Sequence, residues 1–223
     1  MKIRKCGEWA FVVGVVLLGL ATSLMSKAGF GVSMVVAPAY VIADKVESIT
    51  PGTMCYIKQG TLIVLTSIIM GRFRLTYLFS FISAVCFGLA VDLFGGMLAP
   101  ISEPGLGLRI ALYCIGIPIN SLAIAMLFRS YFPPQAPELF VKEISRRFGL
   151  QLHKTKYVFD LTFCALSIVL SLIFFRELRF IGIGTVICAF INAPLIKFFG
   201  VWLDKIADYE PLLPKVAALF EKK

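Results

Sequence analysis

Four ionisable side chains fall inside long apolar runs of this 223-residue chain: Lys58, Asp92, Asp160 and Lys197. Near the centre of a lipid-embedded helix such a group costs roughly 2.5 to 3.5 kcal/mol, so each needs a partner or a wet cavity. Lys58 and Asp92 lie near the same end of two successive runs. Asp160 and Lys197 lie about a turn in from the opposite end of two later ones. One cation and one carboxylate near each surface suggests two polar latches, Lys58 with Asp92 and Asp160 with Lys197, opening in alternation. The competing reading is that all four snorkel to the headgroups, which Lys does more readily than Asp.

Uncharged polar residues mark a second candidate region. Gly116-Ile117-Pro118-Ile119-Asn120-Ser121 interrupts an apolar run near its middle. A proline there frees a backbone carbonyl, and the neighbouring Asn and Ser either re-satisfy the backbone or face a ligand. Thr22, Ser23, Ser80, Ser83, Thr185 and Asn192 sit at depths from which they could line the same space. The expected solute-binding set is therefore Asn120, Ser121, Asn192, Thr185 and Ser83. The expected gating or coupling set is Lys58, Asp92, Asp160 and Lys197, with Lys27 and Arg129, the cations on which two similar helices end. The plainer alternative is that small polar residues only join helices to one another.

Enzyme chemistry finds little support. There is no nucleophile elbow, phosphate-binding loop, HExxH or paired catalytic carboxylate, and the one histidine, His153, stands in a basic segment without an acidic neighbour. Cys55, Cys86, Cys114, Cys164 and Cys188 are scattered through apolar runs with no CxxC pair, which suits packing better than disulfides or a metal site. The expectation is no enzyme, no metal and no cofactor.

With 59% hydrophobic and 16% charged residues, the composition is too apolar for a soluble domain, whose surface needs about a quarter of its residues charged. The net charge of +9 sits in short segments between apolar runs, not on one face with interleaved aromatics, so nucleic acid is not the expected partner. The lipid bilayer is. About 20 apolar residues make a span, and the pattern predicts six: 9–26, 53–70, 75–95, 108–128, 157–175 and 180–201.

These spans read as two copies of one unit. Leu20 to Phe30 followed by Ala37-Pro38 returns as Leu122 to Phe132 followed by Ala136-Pro137, each time an apolar helix ending on one cation, a turn, and a short helix opened by proline. Aligning the copies sets Gln59 opposite Asp160 and Asp92 opposite Lys197. Three spans per copy put the second copy upside down. The expected fold is thus an all-α membrane protein of six transmembrane helices in two inverted three-helix repeats, 1–104 and 105–203, with a tail at 204–223. Most of the 22 Lys and Arg fall on the side of the two termini, which the positive-inside rule makes cytoplasmic.

Residues 30–46 are too short to cross and are expected to be re-entrant or on the external interface. Residues 137–148 interleave Leu139, Phe140, Ile144 and Phe148 with Lys142, Arg146 and Arg147, and so predict an amphipathic helix facing lipid from the cytoplasm. Each half is expected to close with a helical hairpin, and small residues of the third and sixth spans, Gly88 and Gly184 among them, to form the seam between repeats. Tyr209, Leu212, Leu213, Val216, Leu219 and Phe220 are spaced for a short anchoring helix. Residues 1–26 imitate a secretory signal, but the long apolar run and its internal copy favour an uncleaved first span.

Lys27-Ala-Gly-Phe-Gly31, Gly52-Thr53, Gly182-Ile-Gly-Thr185 and Ala193-Pro-Leu-Ile196 resemble the YitT/YczE group of bacterial integral membrane proteins over about residues 12–204. The family's Gly-Pro near the end stands here as Ala193-Pro194. The resemblance implies a polytopic protein of the bacterial cytoplasmic membrane and assigns no activity.

The leading functional expectation is a small-solute transporter working by alternating access. Lys58 with Lys27 near one mouth points to an anionic or zwitterionic solute. A substrate-capture subunit with an energising partner, an accessory membrane protein and a homodimer stay open as alternatives.

Overall fold

A computed structural model of the chain describes residues 3–4, 7–102, 104–133 and 135–209. Among them are eight helices: α1 (Gly7–Ala28), α2 (Ala37–Lys45), α3 (Pro51–Met70), α4 (Leu75–Leu98), α5 (Leu106–Arg129), α6 (Ala136–Phe148), α7 (Leu152–Phe175) and α8 (Ile183–Ile206). All but α2 and α6 are long and apolar enough to cross a membrane. The expected anchoring helix beyond Tyr209 lies outside the described residues.

The helices start and stop where elementary rules place them. Thr50 caps α3 by accepting the Thr53 N–H at 3.1 Å, with Pro51 in the first turn. Gly71 and Gly149 close α3 and α6 in left-handed conformations that a glycine takes without strain. α7 begins five residues before the expected span, which brings Lys156 into the helix. α8 begins three residues late, because residues 180–182 are drawn into another job described below.

α1 and α5 cross at the centre. Their close approach needs small residues: a Cβ on Gly116 would lie 2.8 Å from the Met25 side chain, and one on Gly14 would lie 3.0 Å from that of Leu127. The expected seam between the third and sixth spans is therefore corrected. α4 packs on α1 and α3, α8 packs on α5, and α1 with α5 joins the two halves. Glycines do serve close packing, but Gly88 faces Gly52 of α3 and Gly184 faces Tyr113 of α5.

Exchanging the first four helices with the last four maps nearly every packed pair onto another. α1–α4 corresponds to α5–α8, α2–α7 to α3–α6, and α2–α3 to α6–α7. Two pairs break the correspondence, α3–α4 and the lighter α4–α6, which has no equivalent between α8 and α2. α3 lies along α4, whereas α7 and α8 scarcely touch, so the second half does not close as the expected hairpin.

The two ends of the bundle differ in how they are tied. At one, Ile3–Arg4 and Ala207–Asp208 form a two-residue parallel ladder, and the Arg129 guanidinium donates twice to Asp204, at 2.6 Å each. At the other, the loops before α2 and α8 interlock. Val32 N–H donates to the Phe180 carbonyl at 3.0 Å, Gly184 N–H to the Phe30 carbonyl at 2.9 Å, and Thr185 Oγ1 to the Val32 carbonyl at 2.9 Å. Phe180 takes a left-handed backbone (φ 61°), unusual for a bulky residue, and these bonds hold it there.

The short helices both start within the bundle, at the level of the central residues of the long helices. The chain turns inward after Gly29, and α2 runs back out until Asp44 meets Arg179 at 2.8 Å. α6 starts inside and runs toward the opposite end, where Glu143 meets Arg74 at 3.5 Å. Its expected lipid-facing side is corrected: Leu139 and Val141 are buried against Leu62, Ile63 and Tyr77, and only Phe148 and the basic residues stay exposed. α3 offers an apolar wall there, and burial in protein satisfies Leu139 better than an interface.

Candidate functional site

The N-terminal ends of α2 and α6 meet around a central cavity of about 430 Å³, within the range of small-molecule sites. Every long helix contributes to its wall. Thr22 of α1, Lys58 and Gln59 of α3, Phe87 of α4 and Asn120 of α5 face it, with Asp160 of α7 and Thr185 and Asn192 of α8. Ser33 to Val36 and Gln135 to Glu138 line it from the segments that open the short helices.

Its polar groups fall into three sets. Between α5 and α8, Asn192 Oδ1 accepts from Asn120 Nδ2 at 3.1 Å and from Ser121 Oγ at 2.7 Å. On α3, Lys58 donates its ammonium to the Val35 carbonyl and stands over the Phe163 ring, 5.9 Å from its centroid. Against α6 and α7, Lys156 Nζ lies 2.9 Å from Asp160 Oδ1 and 3.5 Å from Glu138 Oε1.

Both expected latches are corrected. Lys58 does not meet Asp92, because the carboxylate is taken by the start of α3, where it accepts the Gly52 N–H at 2.8 Å and the Thr50 hydroxyl at 2.6 Å. The free N–H groups of a helix N-terminus attract an anion, and the Val35 carbonyl reaches Lys58 first. Asp160 does not meet Lys197 either. The early start of α7 supplies Lys156 one turn before it, while Lys197 is exposed and has no ion pair among the described residues.

Of the expected solute-binding residues, Asn120, Asn192 and Thr185 line the cavity, and Ser121 supports Asn192 from behind. Ser83 is fully buried away from it. Of the gating set, Lys58 and Asp160 line the cavity; Asp92, Lys197, Lys27 and Arg129 do not. Sequence reasoning missed Gln59, Gln135, Glu138 and Lys156. Two signals were available: the four-residue spacing of Lys156 and Asp160, and the proline that opens α6, which pins Gln135 and Glu138 to a helix N-terminus.

A second cavity of about 550 Å³ adjoins the first toward the ladder end. Leu127, Phe128, Glu138 and Lys156 line both, so these four form the neck between them. At the other end Thr185 lies on the cavity wall and is tied to Val32, with the Phe30, Val32 and Phe180 backbone bonds stacked beyond it. Among the described residues no group of His, Cys, Asp and Glu has the arrangement of a metal site.

Six helices long and apolar enough to cross a membrane, around a mainly apolar cavity with a few polar groups, define a multi-pass membrane protein. The chain belongs to DUF6198, a family of unknown function, whose model matches residues 6–201. Comparison with curated proteins and with solved structures returns no match.

Proposed function

We propose that this protein is a small-solute transporter of the bacterial cytoplasmic membrane and not an enzyme, with residues 1–104 and 105–203 acting as inverted repeats around the central cavity. The observation that carries this reading is the cavity itself: it is lined by both halves, holds charged and amide groups within the long helices, and is adjoined by a second cavity toward the ladder end. Buried ionisable groups inside spans mark solute or ion pathways. The near-exchange of packed helix pairs, and two re-entrant helices running to opposite ends, are what an inverted duplication produces.

In this reading the ladder end is cytoplasmic and carries both termini, which agrees with its excess of Lys and Arg. The cavity is then open inward and closed outward by the interlocked loops. Alternating access opens the Val32–Phe180 seam while the neck at Leu127, Phe128, Glu138 and Lys156 closes. The kinship with the YitT/YczE group rests on the glycine motifs and belongs to the same proposal.

The test is release from proteoliposomes. Purified full-length protein is reconstituted around a bacterial metabolite extract, and the outside medium is followed by mass spectrometry against empty liposomes and an Asn120→Leu/Asn192→Leu variant. Release of one solute or a related set by the native protein alone is expected. No release of any solute sinks the autonomous transporter. A substrate-capture subunit is the second reading, favoured by α7 and α8, which leave most of their surface uncovered and scarcely touch each other.

A further inference from the structure

The charges around the central cavity are not evenly spread. On the α3 side Lys58 has a carbonyl partner but no ion pair among the described residues. On the α6 and α7 side two carboxylates, Glu138 and Asp160, share the single ammonium of Lys156. One wall therefore carries a surplus positive charge and the other a surplus negative charge. Poorly solvated charges are costly unless paired, so a ligand that answers both walls is favoured over one that answers either.

The helix ends add to this polarity. Neither α2 nor α6 has a side-chain cap at its N-terminus, and both N-termini line the cavity. Such ends attract negative charge. At α6 the first turn contains Glu138, which already answers it. At α2 the first turn contains no acid, and the N–H groups of Ser33, Met34 and Val35 just before it find no acceptor among the described residues. The first N–H groups of α2 itself, those of Ala37 and Ala39, are bonded to the Ser33 and Val36 carbonyls, so it is the cation without an ion pair and the three unanswered N–H groups of the preceding turn that stand together.

An independent sign of a ligand is Gln59. It lies on the cavity wall, is only 2% exposed, and its Oε1 has no hydrogen-bond partner. A buried amide left without a partner costs about 1 to 3 kcal/mol, which a donor on a bound molecule would recover. Lys58 stands over the Phe163 ring of α7, about one helical turn from Asp160, so the two poles face the same part of the cavity. That suits two groups on one small molecule.

We propose that the cavity binds a small zwitterion of the amino-acid type. Its carboxylate sits between Lys58 and the N–H groups of residues 33–35 in the turn before α2. Its ammonium faces Gln59 Oε1 and the Glu138–Asp160 wall. This deepens the transporter reading, because it rests on the cavity as the solute site but not on whether the solute crosses.

The experiment is equilibrium binding to the detergent-purified full chain. Radiolabelled glycine, L-alanine and L-serine are the zwitterionic probes; propanoate, ethylamine and inorganic phosphate carry only one kind of charge. At least one zwitterion is expected to bind, with every single-charge probe at least about tenfold weaker. Lys58→Met abolishes that binding and Lys58→Arg retains most of it, while Gln59→Leu narrows the gap between zwitterion and propanoate. A monodisperse elution profile controls for folding of each variant. Propanoate or phosphate binding as tightly as the best zwitterion overturns the proposal, and so does binding of no probe. Solute release from proteoliposomes without zwitterion binding overturns this inference and leaves transport standing; zwitterion binding without release does the reverse.

Discussion

Asn120 Nδ2 donates to Asn192 Oδ1 at 3.1 Å, and the same oxygen accepts the Ser121 hydroxyl at 2.7 Å, which joins α5 to α8 on the cavity wall. One carbonyl oxygen with two donors makes Asn192 the centre of the group. Asn192→Leu leaves the Asn120 amide without that acceptor, whereas Ser121 still has the Ile117 carbonyl at 3.0 Å. Interhelical hydrogen bonds in membranes average only about 0.6 kcal/mol, so the thermal midpoint in detergent should fall by no more than a few degrees. Solute release should fall by a much larger factor, about tenfold or more, if Asn120 and Asn192 touch the solute. A variant that unfolds outright, or one that transports normally, contradicts this placement.

The bond from Val32 N–H to the Phe180 carbonyl supports a second prediction. The two segments are in direct backbone contact there, so a cysteine at each position tests whether a disulfide can tie them. With the native cysteines replaced, Val32→Cys/Phe180→Cys should oxidise readily. The oxidised form should stop transport, because the outer seam can no longer part, and reduction should restore it. Solute binding from the ladder end should survive oxidation. Full transport by the oxidised protein would show that the seam is not a gate.

The alkaline limb of stability should report on Tyr131. Its hydroxyl donates to Glu8 Oε1 at 2.6 Å, and burial, followed by that hydrogen bond and the carboxylate charge, pushes its pKa well above the usual phenol value. A raised folded-state pKa favours the protonated form, so its contribution is complete below pH ~10, where the unfolded phenol titrates, and is lost as pH rises further. Melting curves at pH 9 and pH 11 should diverge more for the native protein than for Tyr131→Phe. Equal divergence would mean that other groups govern the alkaline loss.

The number of spans and their approximate places were legible because apolar length decides them, and the duplicated Ala-Pro turns were legible because proline marks a helix start wherever it falls. The partners of the charges were not. Starts misjudged by two residues at α3 and five at α7 were enough to hide the Gly52 N–H from Asp92 and Lys156 from Asp160. Lys58 escaped for another reason: its acceptor is the Val35 carbonyl, and no side-chain pattern announces where an inward-turning backbone will arrive. Gln59 was seen only as the counterpart of Asp160 in the alignment of the two copies, and both residues prove to line one cavity. The β1–β2 ladder, two residues on each side, leaves no periodicity to read.

The route into the cavity yields the last prediction. Along α8 the lining residues Thr185, Ala189, Asn192 and Ile196 descend from the closed end toward the ladder end, and the second cavity continues in that direction past Leu127 and Phe128. A membrane-impermeant thiol reagent should therefore reach Ala189→Cys and Ile196→Cys, made in a cysteine-free background, from the ladder side. In the proposed orientation, with that side inside the cell, labelling should be fast in inverted vesicles and slow in intact cells. Ile196→Cys should label faster than Ala189→Cys, because the neck lies nearer to it. A solute that stabilises the outward-open state should slow both inner reactions and make Ala189→Cys reactive from outside. Equal labelling from both faces would mean a channel without alternation, and labelling from the outer face alone would invert the assigned orientation.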